Sequence, residues 1–362
     1  MRLQFTLVAV CMSVLVASCG ARRPSTPAAN SAPTPTRAAA SLLTPTTAVQ
    51  PVSFPEDEAP HDLLTEWWYY TGHLFTPNRQ RYGFEYVIFQ ANRGVFPPVY
   101  AAHFAITDNP AGTFHYAEKL GANASYSTAQ GFDLRLDTWT MSGALGADHL
   151  RADMPGYAMR IDARASKPPA LHNTIGYVDF GASGGSYYYS RTRLDVSGML
   201  TVAGEPLAVT GEAWMDHQWG NFIAVGGGGW DWFSVQLKSG EDLTLSVIRD
   251  LSGAIAVSYG TLVRANGSTE HLDASAFAIS ATSSWTSPES GATYPAGWTV
   301  GLPGAGWVLT LTPSLPDQEL RTGASTGVIY WEGEVVVAAT IAGQPVDGLG
   351  YVELTGYSHP AH

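Results

Sequence analysis

Charge is scarce in this chain: only 14% of its 362 residues are Asp, Glu, Lys or Arg, against about 25% in an ordinary soluble domain. Cations are the scarcer sign, with 19 Lys and Arg against 31 acidic residues and a formal net charge of −12. An acidic chain without a basic run has little to neutralise phosphates, so no nucleic-acid partner is expected. Cysteine is nearly absent. The two present, Cys11 and Cys19, lie close to the N-terminus, and the rest of the chain has neither disulfide nor thiol chemistry. No sustained helical stripe runs through the sequence, which excludes a helical bundle. The ten histidines are scattered, with no H-x-x-x-H and no H-x-H spacing, and no metal is expected on that ground.

Glycine and aromatic residues are plentiful instead, with 38 Gly and 11 Trp. That mixture suits many short strands joined by glycine turns. "RYGFEYVIFQANRG" and "DLTLSVIRD" alternate with a period of two, the pattern of half-buried strands. "VRANGSTEHL" carries Asn266-Gly267, a strong hairpin signal. The fold class is therefore all-β.

The N-terminus has a different character. "MRLQFTLVAVCMSVLVASCG" has one early cation, Arg2, an apolar run from Phe5 to Val16, and small residues before Cys19. The run is short for a bilayer span and reads as a secretory signal over residues 1–19. "VASC" resembles the lipobox of bacterial lipoproteins, which implies a lipid on Cys19 and an extracytoplasmic, membrane-anchored protein. The alternative is an ordinary cleaved signal with an incidental cysteine. Residues 20–53 are rich in Ala, Pro, Ser and Thr and read as a disordered tether, too poor in apolar surface to offset the entropy of ordering.

Within the remainder, "VAGEPLAVTGEAWMD" (202–216) aligns without gaps on "IAGQPVDGLGYVELT" (341–355). Ala203, Gly204, Pro206 and Gly211 match Ala342, Gly343, Pro345 and Gly350. "WWYYTGHL" and "WDWFSVQL" correspond more loosely. Two similar domains follow, 54–222 and 223–362, with a hinge at "VGGGGW".

The first copy ends in "GEAWMDHQWG" (211–220). Titratable groups in an aromatic strand are costly to bury unless paired or used. Alternation places Trp214, Asp216 and Gln218 on one face and Met215, His217 and Trp219 on the other. Asp216 and His217 therefore do not act side by side. His217 with Trp219 is the expected pocket face, and Asp216 an orienting partner. Four consecutive aromatics, Trp67, Trp68, Tyr69 and Tyr70, must line a cavity or a domain interface on at least one side. "GASGG" (181–185) matches G-x-S-x-G formally, but a strand and not a helix follows, so it reads as a glycine turn. Arg191 and Arg193 are expected to pair with carboxylates such as Glu212 across the hairpin.

"EWWYYTGHL", "SYYYSRTRL", "GEAWMDHQWG", "GWDWFSVQL", "YWEGEV" and "GYVELTGY" together resemble the motifs of the AttH-type lipocalin-like proteins, which include the carotenoid 1,2-hydratases (hydroxyneurosporene synthases). The resemblance implies two tandem lipocalin-like antiparallel β-barrel domains and a lipophilic, isoprenoid-like small molecule as ligand. It implies a hydratase chemistry without a cofactor: an acid protonates an alkene, aromatic faces stabilise the cation, and water captures it. His217 and Trp219 match the D-H-x-W motif of the hydratases. The tyrosine and aspartate those enzymes carry on a later strand are missing, because Leu245, Ser246 and Val247 stand there. Asp231 or Asp216 is then the candidate substitute acid. Trp67, Trp68, Tyr70, Trp219, Trp230 and Trp232 are the candidate ligand-binding aromatics. The competing functions are a non-catalytic carrier of a hydrophobic ligand and a secreted hydrolase of lipophilic substrates, for which no triad is visible.

Overall fold

A computed structural model describes residues 49–94, 96–122, 124–126, 130–181, 184–222 and 228–358. Cys19, the signal and most of the tether lie outside the described residues, as do Ala182 and Ser183 of "GASGG" and residues 223–227 at the expected hinge. Val52 is buried and its amide donates to the Ile175 carbonyl at 3.0 Å.

The first sheet contains β1 (Thr65–Phe75), β2 (Arg81–Ala91), β3 (Val99–Asp108), β4 (Thr113–Ala122), β5 (Phe132–Leu136) and β6 (Trp139–Ala144). It continues with β7 (Ala147–Met154), β8 (Tyr157–Ala165), β9 (Ala170–Leu171), β10 (Tyr177–Asp179), β11 (Gly185–Val202) and β12 (Glu205–Gly220). The second contains β13 (Gly229–Leu237), β14 (Asp242–Arg249), β15 (Ile255–Val263), β16 (Thr269–Asp273) and β17 (Ala278–Ala281). A small separate hairpin, β18 (Ser284–Thr286) with β19 (Thr293–Pro295), follows. The second sheet resumes with β20 (Trp298–Leu302), β21 (Trp307–Pro313), β22 (Glu319–Arg321), β23 (Ile329–Ile341) and β24 (Gln344–Thr355). Helix among the described residues is confined to short 3-10 turns such as Glu56–Glu58 and Pro303–Ala305.

The two sheets repeat one topology. The first runs β4-β3-β2-β1-β12-β11-β8-β7-β6-β5 and the second β16-β15-β14-β13-β24-β23-β21-β20-β17. Both curl into antiparallel barrels, and the closing hairpins β11–β12 and β23–β24 are the two aligned segments. Ala203 and Gly204 turn with φ of 51° and 89°, and Ala342 and Gly343 with 48° and 80°. Two consecutive positive φ values make the type I′ turn that fits the twist of a hairpin. Gly211 and Gly350 match for a second reason. A Cβ at either would run into a neighbouring backbone carbonyl, His73 for Gly211 and Ser234 for Gly350.

Each barrel interior is filled with large side chains. Trp68, Tyr70, Phe84, Tyr86, Phe104, Trp139 and Tyr189 fill the first. Phe233, Trp298, Leu309, Trp331 and Val352 lie in the second. The opposite faces of β1, β2, β11 and β12 are also buried, against β13, β23 and β24. The central strands are thus covered on both sides, and their residues alternate between a barrel core and an interbarrel layer.

Gly211→Ala is expected to lower stability by about 1–3 kcal/mol, the usual cost of overpacking a site that cannot relax. Urea denaturation of the variant checks it, with Gly204→Ala as the comparison, since a Cβ there meets open space and strains only the turn.

Candidate functional site

Register decides which groups meet in the interbarrel layer. On the first barrel Val87, Tyr69, Asp216 and Ser190 lie directly across neighbouring strands. On the second, Ser246, Trp232, Glu353 and Glu332 form the matching row. Two hydrogen bonds join the barrels at these rows. The Tyr69 hydroxyl donates to Glu332 Oε1 at 2.8 Å, and the Trp232 indole donates to the Tyr188 hydroxyl at 3.0 Å. Trp232 also meets the Tyr69 ring edge-on at 5.3 Å and the Trp214 ring at 6.0 Å.

Four carboxylates sit in or beside this layer: Glu85, Asp216, Glu332 and Glu353. None has a cation among its hydrogen-bond partners or charged neighbours. Desolvation of the charged form then dominates. Burial raises Asp216 to about 6, partly offset by donors from Ser190, Tyr188 and Trp214. Burial and then Asp216 raise Glu353 to about 7, against the Trp230 indole. Glu332 rises well above its usual value through burial and the charges of Glu353 and Glu85. Glu85 rises in the same way, from burial and then Glu353.

The layer therefore holds acids of unequal strength on facing strands of the two barrels. Asp216 accepts from the Tyr188 hydroxyl (2.6 Å), the Trp214 indole (2.6 Å) and the Ser190 hydroxyl. Three donors favour its ionised form. Glu332 accepts only from Tyr69, and its Oε2 has no hydrogen-bond partner. Environments that push two carboxyls apart in this way create an acid and a base.

His217 faces the first barrel's interior, as alternation requires. Its ring stacks on Trp68 at 4.7 Å and packs against Trp219 at 4.6 Å. Its orienting partner is Glu66, 2.7 Å from Nε2, and not Asp216, which lies across the sheet. The same Glu66 oxygen accepts from His61 Nδ1 at 2.8 Å. Burial holds His217 below the usual histidine value despite Glu66. Burial also lowers His61, but Asp57 and Glu66 outweigh it and raise the imidazole to about 9.

The structure thus divides the candidate residues. Asp216, Trp67, Trp230 and Trp232 belong to the interbarrel layer or its aromatic margin, whereas His217, Trp68, Tyr70 and Trp219 belong to the first barrel. Asp231 joins neither group; it is paired with Arg249 and accepts from the Tyr357 hydroxyl at 2.9 Å. Arg193 pairs with Glu212 at 2.6 Å, as the hairpin implies, and with Asp242 of the second barrel at 2.6 Å. Ser246, at the position where the hydratase pair is missing, lies opposite Trp232. Sequence reasoning missed Glu66, Glu85, Glu332 and Glu353. Their signal was a glutamate inside an otherwise apolar strand, single in "GFEYVIF" and paired as Glu332 and Glu334 in "YWEGEV".

Two filled antiparallel barrels of one topology, joined through an acid-bearing aromatic layer, define a tandem all-β barrel protein of lipocalin-like architecture. The chain belongs to the AttH-like family, whose profile matches residues 45–357. An AttH-type protein from Nitrosomonas europaea is 32% identical, with a TM-score of 0.78 over 88% of this chain and 100% of that one. Kievitone hydratase from Nectria haematococca is 20% identical, with a TM-score of 0.71 over 86% of this chain and 94% of that one. CghA is 15% identical, with a TM-score of 0.53 over 82% and 90% of the two chains. No significant match is found among curated proteins.

The raised carboxyls make stability fall as pH rises. Glu353 holds its proton in the fold up to about pH 7, whereas the unfolded chain releases it near 4.5. The folded state binds more protons between those values, so stability is full below the unfolded value and is lost on the way up. The loss is on the order of 3 kcal/mol at about 1.4 kcal/mol per pKa unit. Urea denaturation at pH 5 and pH 8 is expected to show a smaller fall for Glu353→Gln than for the parent chain.

Proposed function

We propose that the protein is a cofactor-independent hydro-lyase that adds water to an isolated double bond of a lipophilic, isoprenoid-like substrate. The observation that carries this reading is the pair Glu332–Tyr69 and Asp216–Tyr188, an acid kept protonated and a base kept available within one aromatic layer. The likeness to a hydratase, at 20% identity, supports the fold on which this chemistry is placed.

Hydration of such a bond needs a strong proton donor, because the carbon is a poor base. Glu332 gives its proton to the less substituted carbon and becomes a carboxylate. The faces of Trp232 and Trp214 and the charge of Asp216 stabilise the tertiary cation that results. Water attacks the cation and passes its extra proton to Asp216. A proton returned from Asp216 to Glu332 closes the cycle, and the net change is one water added. The missing tyrosine and aspartate near Leu245 are thereby replaced from the second barrel's closing hairpin and from Asp216 itself.

For location, the "VASC" pattern supports a lipid anchor at Cys19, with the catalytic body outside the cytoplasm. Cys19→Ser is expected to move the protein from the detergent phase to the aqueous phase on detergent partitioning. Retention in the detergent phase removes the anchor.

Catalysis is tested with the full chain in detergent, an acyclic isoprenoid and heavy-oxygen water, with mass spectrometry of the product. A labelled tertiary alcohol is expected. Glu332→Gln is expected to lower kcat by about 10²–10⁴-fold, the usual worth of a positioned general acid, with Glu353→Gln a milder loss. Turnover that survives Glu332→Gln and Asp216→Asn but falls with His217→Ala moves the chemistry into the first barrel and overturns the assignment.

A further inference from the structure

The mouth of the first barrel holds a group of side chains that the hydration chemistry leaves unused. Three potential ligand atoms, one each from His61, Glu66 and His217, lie within 4.8 Å of one another. His61 comes from the segment before β1, Glu66 from the start of β1 and His217 from the end of β12. Both rings aim a nitrogen at the same oxygen, Glu66 Oε1, at 2.8 and 2.7 Å.

The surroundings of these three residues have the form of a metal site's outer shell. Ligating histidines use their second nitrogen to hold a carboxylate, carbonyl or hydroxyl, which fixes the ring and its tautomer. Here His61 Nε2 lies 3.3 Å from Asp57 Oδ1, and His217 Nδ1 lies 3.4 Å from the Tyr189 hydroxyl. The other Glu66 oxygen accepts from the His61 amide at 2.8 Å and from Gln90 Nε2 at 3.3 Å. Indole planes fix the rings as well. Trp219 stacks on His61 at 4.2 Å and 4°, and Trp68 on His217 at 4.7 Å and 22°. Glu66 and His217 are wholly buried, whereas the His61 side chain is 19% exposed, so an ion has one side from which to arrive.

We propose that His61, Glu66 and His217 form a binding site for a divalent first-row metal ion, Zn²⁺ foremost, on the opposite face of the first sheet from the acid layer. Two imidazoles and one carboxylate with no sulfur suit Zn²⁺, and three protein ligands leave a fourth position for water or a substrate oxygen. Bonds of about 2.0–2.2 Å around a tetrahedral ion separate ligand atoms by about 3.4 Å. Glu66 Oε1 then moves outward from each nitrogen by roughly half an ångström on binding. The site lies apart from Glu332 and Asp216, so its test does not depend on turnover.

The purified full chain, stripped with a chelator, is titrated with ZnCl₂ by calorimetry and with CoCl₂ by visible absorption. One equivalent is expected to bind, with a d–d spectrum of four- or five-coordinate Co²⁺. His61→Ala and Glu66→Gln are each expected to weaken Zn²⁺ binding by roughly 100-fold or more, and Asp57→Asn by about 10-fold, the size of a lost outer-shell partner. His61 sits in a partly exposed segment ahead of β1, so its variant separates loss of a ligand from loss of the fold, checked by circular dichroism. No saturable binding by the folded parent chain, or equal affinity in folded His61→Ala, overturns the proposal.

Discussion

A strand covered on both sides has no solvent face, and the central strands of both barrels are in that position. Each must send alternate residues into a barrel core and into the interbarrel layer. In an ordinary lipocalin-type barrel the outward row can be polar because water meets it. Here the outward rows of β1, β2, β11 and β12 meet those of β13, β14, β23 and β24, and every polar group they carry must be hydrogen-bonded, paired or neutral. The chemistry of the layer is a consequence of that packing.

The layer solves the problem in two ways. Toward its margins, charges are paired. Asp242 receives Arg193 at 2.6 Å and Lys167 at 2.7 Å, and Glu334 receives His73 at 2.8 Å and Arg81 at 3.0 Å. Burial alone would raise Glu334, but His73, Arg81 and Asn109 together hold it below the usual glutamate range. Around Trp232 no cation faces the carboxyls among the described residues, and burial raises them, Glu332 and Glu85 furthest and Asp216 least, to about 6. Paired margins tie the barrels together, while the unpaired centre keeps its carboxyls above their ordinary values.

Opposite consequences follow inside the first barrel. Its core is aromatic and closely filled, so His217 can be held there only by partners that match its nitrogens. Glu66 and Tyr189 supply them, from the neighbouring strands β1 and β11. Because β1 carries Glu66 toward the barrel and Tyr69 toward the layer, one aromatic stretch serves both regions. The run Trp67 to Tyr70 alternates between them in the same way.

Strand content, the tandem repeat and the separation of Asp216 from His217 were legible in the sequence, since each depends on local backbone geometry. Period-two alternation fixes which residues share a face, and Ala-Gly turns fix the closing hairpins. The family motifs also gave the barrel type. That the Asp216 side of β12 is buried and not solvated was not legible, because that depends on the second barrel docking against it. Glu332 became a partner of Tyr69 only through that docking, far along the chain from the group it meets, whereas Glu353 meets Trp230 within the second barrel, where β24 pairs with β13. His61, Glu66 and His217 converge for a similar reason: barrel closure brings the first and last strands of a barrel together. Local sequence determines the direction of each side chain, but what waits in that direction is set by contacts between distant strands, which only the tertiary structure decides.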